Sequence, residues 1–197
     1  MMVRCPLLLL VFCVHAVVGQ AREEPRNIDF RNFTFPVPAK ARRFLPVPDK
    51  VRWMDTKSAI WVKLVNGVLE FAKGGPSITL DRVQYGYLTM RPQLDAMVVL
   101  DYHTGGSANW NFIYGFDLSS GSPKLLGWLE TGSRAEAGLY RLFVANGGFV
   151  LDVNDPAERQ ANCCSAGFIR TTYEWKDGKF VSGQPMFGKV EAEPQPR

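Results

Sequence analysis

Histidine and cysteine are scarce in this chain. Of two histidines and four cysteines in 197 residues, only His103, Cys163 and Cys164 lie beyond position 20. A lone imidazole excludes the two-histidine zinc helix and other multi-histidine metal centres. No Gly-x-Ser-x-Gly elbow, no Gly-x-x-x-x-Gly-Lys loop and no Gly-x-Gly-x-x-Gly turn is present. The nucleophile-elbow hydrolases, the P-loop enzymes and the dinucleotide-binding folds fall with them, and no cofactor is implied. Glycosidase chemistry stays open, because two carboxylates suit it on any fold. No second long apolar run follows the first, so a membrane span beyond it is not expected. A formal net charge of +4 is too mild to argue nucleic-acid binding.

What is present begins with residues 1–19. Arg4 precedes an apolar run from Pro6 to Val18, and the small residues Ala16, Gly19 and Ala21 offer a cleavage site. That order is the pattern of a secretory signal peptide. Phe12 before Cys13 is too bulky for a lipoprotein cleavage box. The expected location is therefore secreted or periplasmic. From 20 to 63 there are ten basic and five acidic side chains. Lys40, Arg42 and Arg43 in that stretch suit an anionic surface or acidic partner, while the blander reading is a solvated segment. Asn32-Phe33-Thr34 is a glycosylation acceptor only in a eukaryotic secretory pathway.

Two similar stretches, from Thr34 and from Phe44, stand ten residues apart and place four prolines between 36 and 48. They predict an extended arm over 20–58, lying on the domain through Phe33, Phe35, Phe44 and Leu45. From 59 to 190 short apolar runs alternate with turn residues, and 191–197 reads as a disordered tail. Hairpins are expected at Lys73-Gly-Gly-Pro76, Asn146-Gly-Gly148 and Lys176-Asp-Gly178. Leu94 to Tyr102 is apolar on both faces, Ala96, Val98 and Leu100 on one and Met97 and Val99 on the other, which marks a central strand. Only Ser133 to Gly138 and Pro156 to Ala161 suggest helix. The expected fold is mainly β, a single antiparallel domain in the form of a sandwich, open barrel or twisted sheet. Five tryptophans and six tyrosines, with the phenylalanines, predict an aromatic core.

The candidate catalytic residues are Asp101 and His103. At i and i+2 on one strand they share a face, so the carboxylate is placed to orient the imidazole. The competing reading is a strand-end pair satisfying each other above a glycine turn. The loop that follows offers backbone N–H groups around Gly105 and Gly106 for an anion nest or oxyanion site, and Gly105, Gly106, Ser107 and Asn109, with Trp110, are candidate binding residues. Cys163 and Cys164 are adjacent, so they cannot staple distant parts of the fold; their α-carbons stand about 3.8 Å apart across a trans peptide. The pair suits a vicinal disulfide (its peptide distorted or cis), a redox switch or a soft-metal site, and an oxidising compartment favours a structural role. Cys164 as a nucleophile requires the fold to bring it to His103.

Tyr85-Gly-Tyr-Leu-Thr89, Asp95-Ala-Met-Val-Val99, Gly105-Gly-Ser-Ala-Asn-Trp-Asn111, Thr131-Gly-Ser-Arg-Ala135 with Gly138-Leu139, and Cys163-Cys164 followed by Arg170, Tyr173 and Trp175 together resemble a family of exported bacterial proteins of unknown function. The resemblance covers about half of the chain beyond the leader and implies no activity. It has one departure. Where such proteins often carry Tyr-Gly-Asp-Leu-Thr-Gly-Asp-Gly, similar to a calcium loop, this chain has Tyr87 for the first aspartate and Met90-Arg91-Pro92 for the last three residues. An arginine there opposes a cation, so any calcium site of the relatives is expected to be lost. The reading that follows is an exported, non-enzymatic β domain that binds a protein or glycan surface or serves a structural role. Its contact residues are Gly105, Gly106, Ser107, Asn109, Trp110 and Arg134. The alternatives are a secreted hydrolase using Asp101 and His103 or a carboxylate pair, and a thiol redox or soft-metal protein acting through Cys163 and Cys164.

Overall fold

The computed structural model describes residues 28–38, 59–71 and 73–190. Lys40, Arg42, Arg43, Phe44 and Leu45 lie outside the described residues, as do 1–27 and 191–197. The first strands, β1 (Thr34–Pro38) and β2 (Ala59–Lys63), form an antiparallel two-stranded ribbon. Pro36 and Pro38 have no N–H to give a second neighbour, so β1 is confined to an edge. Strands β3 (Val68–Glu70), β4 (Ser77–Gly86), β5 (Asp95–His103), β6 (Asn109–Asp117) and β7 (Lys124–Ser133) then build a five-stranded antiparallel sheet in sequence order. A second sheet holds β8 (Leu139–Ala145), β9 (Gly148–Asn154), β10 (Gly167–Lys176), β11 (Lys179–Ser182) and β12 (Met186–Lys189). There β10 pairs with β11 through its last residues and with β12 through its first. The described residues are mainly β and antiparallel, with no closed barrel among them.

The alternation along β5 explains the layering. Ala96, Val98 and Leu100 face the ribbon and pack with Phe30, Phe35, Val37, Val62 and Leu64. Met97 and Val99 face the opposite way and pack with Leu142, Phe149, Leu151, Ile169 and Tyr173 of the second sheet. The central sheet is thus covered on both sides, which is why its middle strand carries no polar face. Tyr114 stacks on Trp128 with ring centroids 5.5 Å apart. Its hydroxyl donates to the Pro36 carbonyl at 2.7 Å, tying the ribbon to the sheet. Each such buried side chain contributes about 1.5–3 kcal/mol. On the outer face of the second sheet Asp152 is fully covered, accepting from Arg170 Nε and Nη2, each at 2.8 Å, and from Arg141 Nε at 3.2 Å.

The three expected hairpins form, β3–β4, β8–β9 and β10–β11. The two suggested helices do not. At 133–138 a bridge between Ser133 and Glu136 folds the chain back, with Arg134 at φ 47° and Ala137 at φ 60°. Two left-handed residues so close together are incompatible with a right-handed helix. At 156–161 only a 3-10 turn, Pro156–Glu158, survives, capped by the Asp155 carboxylate accepting from the Ala157 amide at 2.9 Å. A bridge between Arg159 and Ser165 then pulls the chain away. Among the described residues no helix is long and apolar enough to cross a membrane.

Candidate functional site

In an antiparallel run every second connection returns to the same end of the sheet. His103 opposes Asn109, Trp110 opposes Ser133, Leu139 opposes Val153, and Asn154 opposes Phe168. The 104–108 loop, the 134–138 turn and the 155–166 loop therefore share one end of the two-sheet body. Between them lies a cleft of about 190 Å³, lined by Ser107, Ala108, Ser133, Arg134, Glu136, Arg159 and Asn162. Two of the expected contact residues, Ser107 and Arg134, meet there. Ala108, Ser133, Glu136, Arg159 and Asn162 join them from outside the expected set.

Each wall is held by local chemistry. Ser133 Oγ accepts from the Asn109 amide at 3.1 Å, joining the first loop to the end of β7. Thr104 Oγ1 donates to the Ala108 carbonyl at 2.8 Å, closing the first loop on itself. Gly132 donates to the Ala137 carbonyl at 2.8 Å and Gly138 to the Arg134 carbonyl at 2.9 Å, closing the second. Asn154 Nδ2 also reaches the Arg134 carbonyl, at 3.1 Å. On the third wall Arg159 pairs with Glu136 at 2.5 Å and with the Asn162 side-chain carbonyl. That leaves Arg134, which makes no side-chain hydrogen bond or ion pair with another described residue.

Cys163 and Cys164 form a disulfide next to Asn162, on the exposed outer side of the third loop. Their peptide is not cis. The Cys164 carbonyl accepts from Gln160 at 3.1 Å and the Cys164 amide donates to Ala161 at 3.4 Å, so the pair sits in a tight turn. Gly105 and Gly106 are exposed at the tip of the first loop, Gly105 at φ 80°. Trp110 turns inward, 9% exposed and stacked 5.8 Å from Tyr102, so it supports the loop from beneath.

Asp101 and His103 share a face of β5, yet no hydrogen bond joins them. The Asn111 side-chain amide donates to Asp101, and His103 Nε2 stands 3.5 Å from Thr79 Oγ1. Burial pushes the Asp101 carboxyl above the usual carboxylate range, and the charge of Asp81 adds to it. His103, Arg82 and the Asn111 amide offset part of that rise. Asp101 and His103 do not line the cleft. The Asn32 side chain, in the glycosylation triplet, donates to Asp29 Oδ2 at 2.6 Å and accepts from the Asn66 amide at 2.9 Å.

At the opposite end of the body Arg91 stands where the sequence departs from the calcium-like pattern. Its Nη1 lies 2.8 Å from Asp117 Oδ2 and its Nε donates to Thr89 Oγ1 at 3.1 Å. Asp95, paired with Asp117 across β5 and β6, accepts from the Thr89 amide and hydroxyl, each at 2.9 Å. Burial raises Asp117, but the Ser119 amide and hydroxyl and the Arg91 guanidinium outweigh it and hold that carboxyl below the ordinary range. The Arg91 guanidinium thus balances the charge of Asp117, while burial raises the Asp95 carboxyl beside it.

No protein-family model, no curated protein and no solved structure matches the chain.

Proposed function

We propose that this protein is an exported, non-enzymatic binding module that engages a protein or glycan through the cleft at its loop end. One observation carries the reading: three loops converge on one polar cleft and leave the Arg134 guanidinium without a partner among the described residues. Loops held on a rigid sheet are the usual place for recognition. The leader-like residues 1–19 support export, and an exposed disulfide suits an oxidising compartment. The resemblance to exported bacterial proteins points the same way.

The test is a screen of the full chain against peptide and polysaccharide arrays. A ligand lost by Asn162→Ala but kept by His103→Ala supports the cleft as the site. Binding indifferent to Asn162→Ala and Arg134→Ala moves the site elsewhere. Mass measurement of the exported product tests the location, and retention of Met1 on a cytosolic product overturns it. A second reading, a hydrolase, draws on the Asp101 carboxyl, raised by burial and by the charge of Asp81, on the same face of β5 as His103. Turnover on a hydrolase panel that disappears in His103→Ala, with melting unchanged, would favour it over the binding module.

A further inference from the structure

We infer that the cleft takes a peptide carboxylate, a chain terminus or an acidic side chain, anchored by the guanidinium of Arg134. This deepens the binding-module reading and rests on it. The first support is a surplus of donors. Ser107 and Ala108 line the cleft, and their amides make no hydrogen bond to another described residue. Ser133 Oγ already accepts from Asn109, so its proton is left to donate. With the Arg134 fork these groups call for a ligand that only accepts. An ionised carboxylate is such a ligand, and guanidinium matches its geometry with two parallel bonds.

Charge narrows the class. Arg159 is satisfied by Glu136 and Asn162, so the lining keeps one uncompensated positive charge, that of Arg134. One carboxylate balances it, whereas a phosphate monoester carries about −1.5 to −2. Among the described residues no aromatic ring lines the cleft, so a neutral sugar finds no apolar platform on them.

The backbone gives an independent sign. Arg134 is held at φ 47°, a left-handed conformation that costs a residue with a Cβ about 1–2 kcal/mol. Such strain persists where the surroundings over-determine it, and it gathers at ligand sites. Here Gly132 and Gly138 approach the turn so closely that a Cβ would stand 1.8 Å and 2.4 Å from its backbone oxygens. Glycine would relieve position 134, and arginine stands there instead.

The experiment is a nuclear magnetic resonance titration of the oxidised full chain with three probes: acetyl-alanyl-alanine, the same dipeptide as its C-terminal amide, and glucuronate. The expected result is saturable shifts at Ser107, Ala108 and Arg134 with the free acid, at least about tenfold weaker with the amide, a difference of roughly 1.4 kcal/mol. Arg134→Gln should weaken the acid about tenfold or more, and Arg134→Lys should recover only part of it. Arg134→Gly guards against misfolding: it should melt no lower than the parent and still lose the acid. Equal binding of acid and amide, or parent-like binding by the Arg134 variants, overturns the carboxylate while leaving a binding cleft standing. Preference for glucuronate over the peptide acid overturns the peptide assignment. No shift with any probe overturns the inference, and the array screen then decides separately whether the binding module falls with it.

Discussion

Substituting Gly132 by alanine tests whether the 132–138 turn is as rigid as its contacts require. A Cβ built there would stand 1.8 Å from the Glu136 carbonyl oxygen and 2.9 Å from its carbon. Relief to an ordinary contact needs a backbone shift of about 1 Å or more, because neither neighbour is the far end of a flexible side chain. That shift pulls on the Gly132 bond to Ala137 and the Glu136 bond to Ser133, each at 2.8 Å. At about 0.5–1.5 kcal/mol net for each, the substitution should cost about 1–3 kcal/mol. For a chain of this size each kcal/mol lowers the melting temperature by about 2–4 °C. Gly138→Ala strikes the same turn, since its Cβ would meet the Arg134 amide and carbonyl at 2.4 Å. The pair should therefore be less costly than the sum of the singles. Gly178→Ala is the control: nothing lies within 4 Å, and only its φ of 76° resists the change. Urea melts of the parent and the four variants give the numbers. Gly132→Ala within about 0.5 kcal/mol of the parent, or strict additivity with Gly138→Ala, would refute the reasoning.

Three further outcomes are expected. Tyr114→Phe deletes the 2.7 Å bond to Pro36 and leaves a buried carbonyl unsatisfied, so it should cost about 1–3 kcal/mol in a denaturant melt; no loss would mean that the ribbon does not depend on that bond. Asp101 titrates above its ordinary value of 3.8 when folded, so between that value and its folded pKa the native state holds the extra proton and stability falls as pH rises. Asp101→Asn should flatten that fall relative to the parent in melts taken as a function of pH, and identical slopes would contradict the assignment. Replacing Cys163 and Cys164 by serine removes a ring between neighbours, worth about 1 kcal/mol of unfolded-state entropy, so melting should drop by only about 2–4 °C while amide exchange quickens over 160–164; a drop beyond about 10 °C would refute it.

The layers were readable in the sequence and the cleft was not, for one physical reason. Alternation of apolar side chains along β5 is local, and a strand apolar on both faces has to be covered twice. The turn residues at Asn146-Gly147 and Asp177-Gly178 are local too, and both hairpins formed there. By contrast Arg159 and Asn162 come to Ser107 only because the second sheet packs on the first. The loop register that aligns them is set by sheet pairing, which no single segment encodes. Ser133 to Gly138 misled for a related reason: alanine and glutamate favour helix, but the close approach of Gly132 and Gly138 to the backbone of that turn depends on its final shape. Trp110 read as a contact residue because it follows an exposed loop, yet strand parity turns it toward Tyr102.

The position of Arg134 follows from where the chain changes sheets. Strand β7 ends the first sheet, β8 begins at the edge of the second, and only 134–138 join them. At such a corner two sheet edges diverge, and the space between them is a cleft unless side chains fill it. The corner is also densely tied. Asn154 bonds from β9 to the Arg134 and Gly138 carbonyls, at 3.1 and 3.3 Å through its side chain and at 2.9 Å to Gly138 through its amide. Ser165 Oγ donates to the Asp155 carbonyl at 2.7 Å and pins the base of the disulfide loop. If the proposed carboxylate binds here it meets backbone tied by these bonds, so its binding need only still side chains, at about 0.5–1.5 kcal/mol each.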